Sequence, residues 1–390
     1  MNVLILEDND NKYNHIEATL KSNVPDCTVK RCEYFSKFVI DSSKEKFDLV
    51  VTDLLVPMQK DATEAFEVTQ EIIDTIRDTE SPNFSTPVIA ITAFNDVAEQ
   101  SYEKFNRLDI NIVFYAEDST DWVNAFILKA KNSIPAPKYD FVIFCALEQE
   151  AEAYKNLDCN LGPPQCIQNL NCRTLEINGK KGGIIVPPRM GLVNAAITCA
   201  RAIDIFNPEL ICMSGICAGI EGKANIYDVI ISEMCHQHDA GKWTSDGFVP
   251  EVNTVQILHS THIAINQLIR NSSFLESIKD GVVLKRSEYP TDIDELSFEI
   301  VIGPTSSGSS VIASATILEN ITAQHRKNSS FEMEAYALYE AARQSSNQNL
   351  RYFSAKSVVD NGDELKSDHY HRVACILSAK TVCQLIAAGV

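Results

Sequence analysis

The chain has 390 residues, 45% of them apolar and 22% charged, which excludes disordered and fibrous classes. No apolar run approaches the roughly 18 residues that cross a bilayer. The net charge is −19, with 13 basic and 24 acidic side chains up to Ile134 and 21 and 29 beyond it, so neither half has the basic excess of a nucleic-acid binder.

The length predicts two domains. The first residues, MNVLILEDND, carry no basic segment and read as no secretory signal. Twelve scattered Cys without a C-x-x-C pair then read as reduced core thiols of a cytoplasmic protein. In chain order, Asn2–Leu6 (NVLIL), Phe47–Thr52 (FDLVVT), Pro87–Thr92 (PVIAIT) and Asn111–Phe114 (NIVF) read as buried strands. Helical periodicity separates them, as over Lys12–Lys21 and Thr63–Arg77. This alternation predicts a doubly wound parallel sheet, whose functional groups collect at the carboxyl ends of its strands. Glu7 and Asp8 follow the first strand, Asp53 follows a later one and Thr92 another. Three carboxylates at one edge suit a hard cation such as Mg²⁺. One of them could accept a phosphoryl group, with the metal and the Thr hydroxyl balancing its charge. Any one of these acids alone could equally be loop solvation.

These residues resemble the receiver domain of two-component response regulators, over Met1–Lys131. The resemblance implies a flavodoxin-like fold. It implies Glu7, Asp8 and Asp53 as the Mg²⁺ site, Asp53 as phospho-acceptor, Pro57 in its usual place and Thr92 as the switch hydroxyl. It also implies a histidine kinase or phosphotransfer protein as partner. One position departs: Tyr115-Ala116 stand where the family has Lys-Pro, the Lys pairing with the phosphoryl group. A docking module that transfers no phosphoryl group is the alternative.

Lys129–Lys138 (KAKNSIPAPK) reads as linker, with residues 132–138 joining the two domains. The second half alternates again from Tyr139 to the end, predicting a second α/β domain over 139–390. Expected strands include Gly183–Val186, Leu210–Met213, Asp228–Ser232, Phe298–Ile302 and Tyr352–Val359; expected helices include Leu192–Ile205, His262–Arg270, Glu332–Arg343 and His371–Ile386. Four stretches stand out: CALEQE, PPRMGLVNAA with ICMSGICAG, SSFEMEAYAL, and AKSVVDNGDE. They hold Glu148, Glu150, Glu332, Glu334 and Asp360 with no P-loop, no H-E-x-x-H and no Ser-His-Asp elbow. Acids without a metal cluster suit N-glycosidic cleavage: one protonates the leaving base, another activates water. For Glu332 and Glu334 the plain alternative is that, in the first turn of the expected helix, they answer its dipole.

Together these stretches resemble the nucleoside phosphorylase superfamily, and within it the methylthioadenosine/S-adenosylhomocysteine nucleosidases, from Tyr139 to about Ala388. The resemblance implies an α/β domain with a mixed central sheet. It implies Glu150 as the acid that activates water, Asp360 as the acid that protonates the purine and Glu334 as the ribose-hydroxyl acceptor, with Glu332 beside it. Met333 would pack under the sugar, Val311 and Ile312 against the base, and Gly215 and Gly219 in the ribose and nucleophile loop. Arg189, with His236, His238 and Lys242, would face the 5′ side. For Arg189 the plain reading is surface solvation, and for the histidines a satisfied core. Phosphorylases carry Arg where this chain has Gln149, Ala151 and Met213, which favours water as nucleophile. Val359 and Ile216 replace small polar residues of the family.

The joined architecture resembles the effectors of two-component (Detocs-type) phage-defence systems. That resemblance implies a phosphorylation-regulated nucleosidase that removes adenine from ATP and related nucleotides, needs no cofactor for its chemistry and forms a homodimer or higher oligomer. The alternatives are a regulated nucleosidase on methylthioadenosine, S-adenosylhomocysteine or adenosine, and an inactive nucleoside sensor.

Overall fold

The computed structural model describes residues 1–62, 64–251, 253–290, 295–362 and 368–390. They form two compact units, Met1–Pro135 and Ala136–Val390.

The first unit runs β1 (Asn2–Leu6), α1 (Asp10–Asn23), β2 (Thr28–Cys32), α2 (Phe35–Lys44), β3 (Leu49–Thr52), β4 (Leu55–Pro57), β5 (Ala65–Glu67), α3 (Thr69–Ile76), β6 (Val88–Thr92), α4 (Asn95–Asn106), β7 (Ile110–Phe114) and α5 (Asp121–Asn132). Five strands make a parallel sheet in the order β2-β1-β3-β6-β7. Its central strands are apolar throughout because both faces are covered. Leu4, Leu6, Val50, Val88 and Ala90 pack with Phe38, Ile72 and Phe105 of α2, α3 and α4 on one side. Val3, Ile5, Val51, Ile89 and Ile91 pack with Ile16 and Leu20 of α1 and Trp122 and Phe126 of α5 on the other.

Two local expectations change. The helix expected over Thr63–Arg77 begins only at Thr69, because Ala65–Glu67 pairs antiparallel with Leu55–Pro57 as a hairpin; Thr63 lies outside the described residues. Of the expected linker segment, residues up to Asn132 complete α5, whose inward face buries Trp122, Phe126 and Ala130.

The second unit runs β8 (Phe141–Phe144), α6 (Glu148–Glu152), β9 (Gln165–Ile167), β10 (Leu170–Ile177), β11 (Lys180–Ile185), α7 (Leu192–Phe206), β12 (Leu210–Gly219), β13 (Val229–Gln237), β14 (Gly241–Thr244), β15 (Gly247–Pro250), β16 (Thr254–Gln256), α8 (His259–Ile269), α9 (Ser272–Lys279), β17 (Ile300–Ser307), α10 (Ala315–Gln324), β18 (Ser330–Glu332), α11 (Ala335–Arg343), β19 (Arg351–Asp360) and α12 (His371–Ala387). Its large sheet is mixed: β8, β11, β12 and β19 run parallel, while β10 pairs antiparallel with β11, β18 with β12 and β13 with β19. The pairings β12–β19, β19–β13, β13–β17, β17–β18 and β18–β12 close a ring. Long strands β12 and β19 are buried along almost their whole length, with α11 and α12 against the sheet and α7 against α11. No helix among the described residues is long and apolar enough to cross a membrane.

Candidate functional site

The carboxyl ends of β8, β12 and β19 and the turn between β18 and α11 meet at a cavity of about 280 Å³. Glu150, Glu332, Met333, Glu334, Val311, Ile312 and Asp360 line it, as do Ile216 and Val359. Four sequence stretches far apart in the chain are thereby brought to one place.

Glu150 enters from the first turn of α6 and is buried. Its Oε2 accepts the N–H of Leu147 at 3.0 Å and its Oε1 that of Ile216 at 3.0 Å. Gly215 explains why the carboxylate fits: a Cβ there would stand 2.2 Å from Glu150 Oε1. Gly215 thus acts beneath Glu150 rather than as a cavity wall. Burial, reinforced by Glu334 and partly offset by Lys356, pushes the Glu150 carboxyl up to about 7.

Glu332 and Glu334 are divided in role by the backbone. Glu332 ends β18, and its carboxylate accepts the N–H groups of Glu334 at 2.8 Å and Ala335 at 2.9 Å, capping α11. The helix-end reading therefore holds for Glu332. Glu334 turns its Oε1 to the N–H of Gly191 at 3.0 Å.

Between the two lies Lys356, which the sequence reading missed. Its Nζ is 2.6 Å from Glu332 Oε2 and 3.0 Å from Glu334 Oε2, and it is buried. Burial alone would depress the ammonium, but Glu332, Glu334 and Glu150 outweigh it and hold it charged. Burial would likewise raise Glu332, but Lys356 and the Ser307 hydroxyl hold it below its usual range. Lys356 lies four residues before Asp360 on β19, whose register against β12 shifts between Val358 and Asp360. A lysine inside the expected buried strand Tyr352–Val359 is the signal the sequence offers. Asp360 ends β19, with Oδ1 accepting the Gly362 N–H at 2.7 Å; Asp363 and Glu364 of the same stretch lie outside the described residues.

The residues expected at the 5′ side are placed differently. Arg189 is exposed and does not line the cavity; its neighbour Met190 does. His238 is buried, its Nδ1 2.8 Å from Ser306 Oγ, and it fills the space beside Gly308 instead of facing the cavity. It is a core histidine, and burial lowers its pKa. Lys242 is exposed on the β14–β15 hairpin. Ala151 and Met213 are fully buried, so apolar side chains occupy two of the places where an anion-binding Arg was sought.

In the first unit, ligand atoms of Glu7, Asp8 and Asp53 lie within 4.8 Å of one another at the carboxyl edge of the parallel sheet. An all-oxygen set of this size fits a hard divalent cation. Thr92 ends the neighbouring strand β6, buried, its Oγ1 accepting the Phe94 N–H at 3.3 Å. Asp53 Oδ1 accepts the Leu54 N–H at 2.6 Å. Lys12, also absent from the sequence reading, reaches into the same cluster. Burial pushes Glu7 up to about 7 despite Lys12.

A protein-family profile described as "Phosphorylase superfamily" matches residues 140–388. An uncharacterized protein of Sinorhizobium fredii is 27% identical over 197 residues, which span 49% of this chain and 46% of that protein. ATP nucleosidase Cap17 of Escherichia coli is 25% identical over 204 residues, 51% of this chain and 40% of its own length. The chain thus spans less than half the length of these two relatives. A crystal structure of 5′-methylthioadenosine/S-adenosylhomocysteine nucleosidase from Neisseria meningitidis superposes with a TM-score of 0.50 at 20% identity, covering 64% of this chain and 98% of that one. That likeness is one of fold. Through residues 140–388 the chain belongs to the phosphorylase superfamily.

Proposed function

We propose that the second unit is an N-glycosidase that hydrolyses adenine nucleotides, ATP and its relatives, to adenine and a ribose phosphate. The observation that carries this reading is the pairing of Glu150 and Asp360 in one cavity with Glu334 and Met333. Glu150, with its carboxyl pushed up to about 7, is poised to take a proton from water near neutral pH. Asp360 donates a proton to the leaving purine, and Glu334 accepts from ribose hydroxyls. Developing positive charge on the sugar is stabilised by these carboxylates. Val311 and Ile312 offer an apolar wall to the base. The name of the Escherichia coli relative supports nucleotides as the substrate class.

A second reading has its own observation. Leu147, Met190 and Phe331 also line the cavity, and among the described lining residues only His371 can carry a positive charge. That lining favours an uncharged 5′ group, as in methylthioadenosine, S-adenosylhomocysteine or adenosine. Incubating the pure protein with ATP, AMP, adenosine and methylthioadenosine and measuring free adenine by chromatography separates the two. Adenine from ATP supports the first reading, and adenine only from the uncharged nucleosides replaces it with the second.

We further propose that the first unit is a receiver that regulates this activity, in the service of antiviral defence. Asp53 is its phospho-acceptor, Thr92 its switch hydroxyl, and a histidine kinase or phosphotransfer protein its partner. Glu7, Asp8 and Asp53 would hold Mg²⁺, which supplies positive charge to a transferring phosphoryl group. Asp53→Ala that matches wild type in phage challenge and in response to an acyl-phosphate donor would replace this with docking alone.

A further inference from the structure

Lys12 belongs to the inward face of α1, which buries Lys12, Ile16 and Leu20 at successive four-residue steps. An apolar side chain is the ordinary occupant of such a stripe. The helix start is set by Asn9, whose Oδ1 accepts the N–H groups of Asn11 at 3.0 Å and Lys12 at 3.1 Å. This cap holds Lys12 in the first turn, over the acidic edge of the sheet. Its side chain is 6% exposed; Nζ lies 2.6 Å from Asp53 Oδ2 and 2.7 Å from Glu7 Oε2. The Tyr115 ring covers the ammonium at 5.7 Å, and His15 Nδ1 is 3.1 Å from the Tyr115 hydroxyl. A buried ammonium persists only where carboxylates compensate its desolvation, so position 12 is built around Asp53 and Glu7.

A phosphoryl group on Asp53 would carry roughly −1.5 to −2 in place of the carboxylate charge it consumes, a net gain of about −0.5 to −1 beside the carboxylates of Glu7 and Asp8. Asp53 Oδ1 is taken by the Leu54 N–H, and Oδ2 is the oxygen that carries Lys12. Tyr115 brings a ring and a hydroxyl to this place but no charge. We propose that Lys12 is the counter-charge for phosphoryl transfer to Asp53, delivered from the first helix of the unit instead of from position 115. The inference rests on the reading of Asp53 as phospho-acceptor. In the step, a carboxylate oxygen of Asp53 attacks phosphorus of an acyl phosphate. The new O–P bond forms as the donor's O–P bond breaks, and the donor leaves as a carboxylate with the bonding pair. The Lys12 ammonium keeps its proton throughout and bonds the phosphoryl oxygens.

The test uses the full chain with acetyl phosphate in Mg²⁺-containing buffer, and intact-mass spectrometry to follow the phosphorylated fraction with time. Wild type is expected to gain one phosphoryl group and Asp53→Asn none. Lys12→Met is expected to react at least about tenfold more slowly, the scale of a lost charge-assisted hydrogen bond. Lys12→Met combined with Tyr115→Lys should recover most of the rate, which a merely structural role for Lys12 does not predict. Lys12→Gln, which keeps a donor and loses only the charge, gives the same reading if Lys12→Met fails to fold by Trp122 fluorescence. Wild-type rates in both Lys12→Met and Lys12→Gln would overturn the role of Lys12 and leave Asp53 as acceptor. No modification of wild type, or equal modification of Asp53→Asn, would remove the acceptor reading and Lys12 with it.

Discussion

Asp360→Asn exchanges a carboxyl that can donate a proton for an amide far too weak an acid to do so. Base release should fall by about 10²–10⁴-fold, the usual contribution of general acid catalysis, with the melting temperature little changed; a chromatographic adenine assay and a thermal melt check both. Glu150 gives the complementary prediction. Its carboxyl is pushed up to about 7, and only the ionised form can take a proton from water. Activity limited by Glu150 therefore rises with pH through about 7 and is lost as pH falls below it. A kcat/KM profile between about pH 5 and 9 reads this directly, and a profile flat across neutral pH would take Glu150 out of the base role. Gly215→Ala tests the geometry that admits Glu150: the added Cβ meets Oε1 at 2.2 Å. The carboxylate must move, and a displacement near 1 Å costs on the order of 100-fold in rate. Loss of kcat with substrate binding retained is the expected result.

At the scale of elements, the start of α11 and the middle of β19 are held together by charge. Glu332 caps the helix, and Lys356 on the strand bonds both Glu332 and Glu334. Lys356→Met leaves two buried carboxylates without their cation, a change that costs about 3–5 kcal/mol. Urea denaturation of the full chain should show that loss, and Lys356→Arg should lose less because it keeps the charge. Stability unchanged in Lys356→Met would mean the carboxylates are satisfied without Lys356. The same network shows why Glu332 and Glu334 could not be assigned from sequence. One residue separates them, and only the register of β18 against β12 and β17 decides which carboxylate turns to the helix.

At the scale of the molecule, α7 leaves Val193 and Ile197 70% and 57% exposed, four residues apart and beside half-exposed Met190. We propose that this apolar stripe is a self-association surface, closed two-fold pairing being the commonest form of homo-oligomer. The protein is expected to be at least a dimer by light scattering at micromolar concentration, and Val193→Asp with Ile197→Asp to shift it toward monomer. A fully active wild-type monomer would end the oligomer reading.

The strand–helix alternation of both units is legible in the chain, because apolar runs such as VLIL and LVV are stable only between covered faces. Where acids collect is legible there too, since Glu7, Asp53 and Glu150 come after apolar strands and Asp360 is the last residue of one expected to be buried. Strand β2 escaped notice because it lies at the sheet edge and is mostly half-exposed, leaving little apolar signal. The partners of the acids were decided only in three dimensions. Lys12 sits 41 residues from Asp53, and Lys356 sits 22 and 24 from Glu334 and Glu332. A lysine in a linear sequence reads as solvated surface, and becomes a buried ion only when the fold sets carboxylates around it. Arg189 and His238 show the converse: the chain brings them near the site in sequence, while Met190 lines the cavity in place of Arg189 and His238 packs against Gly308.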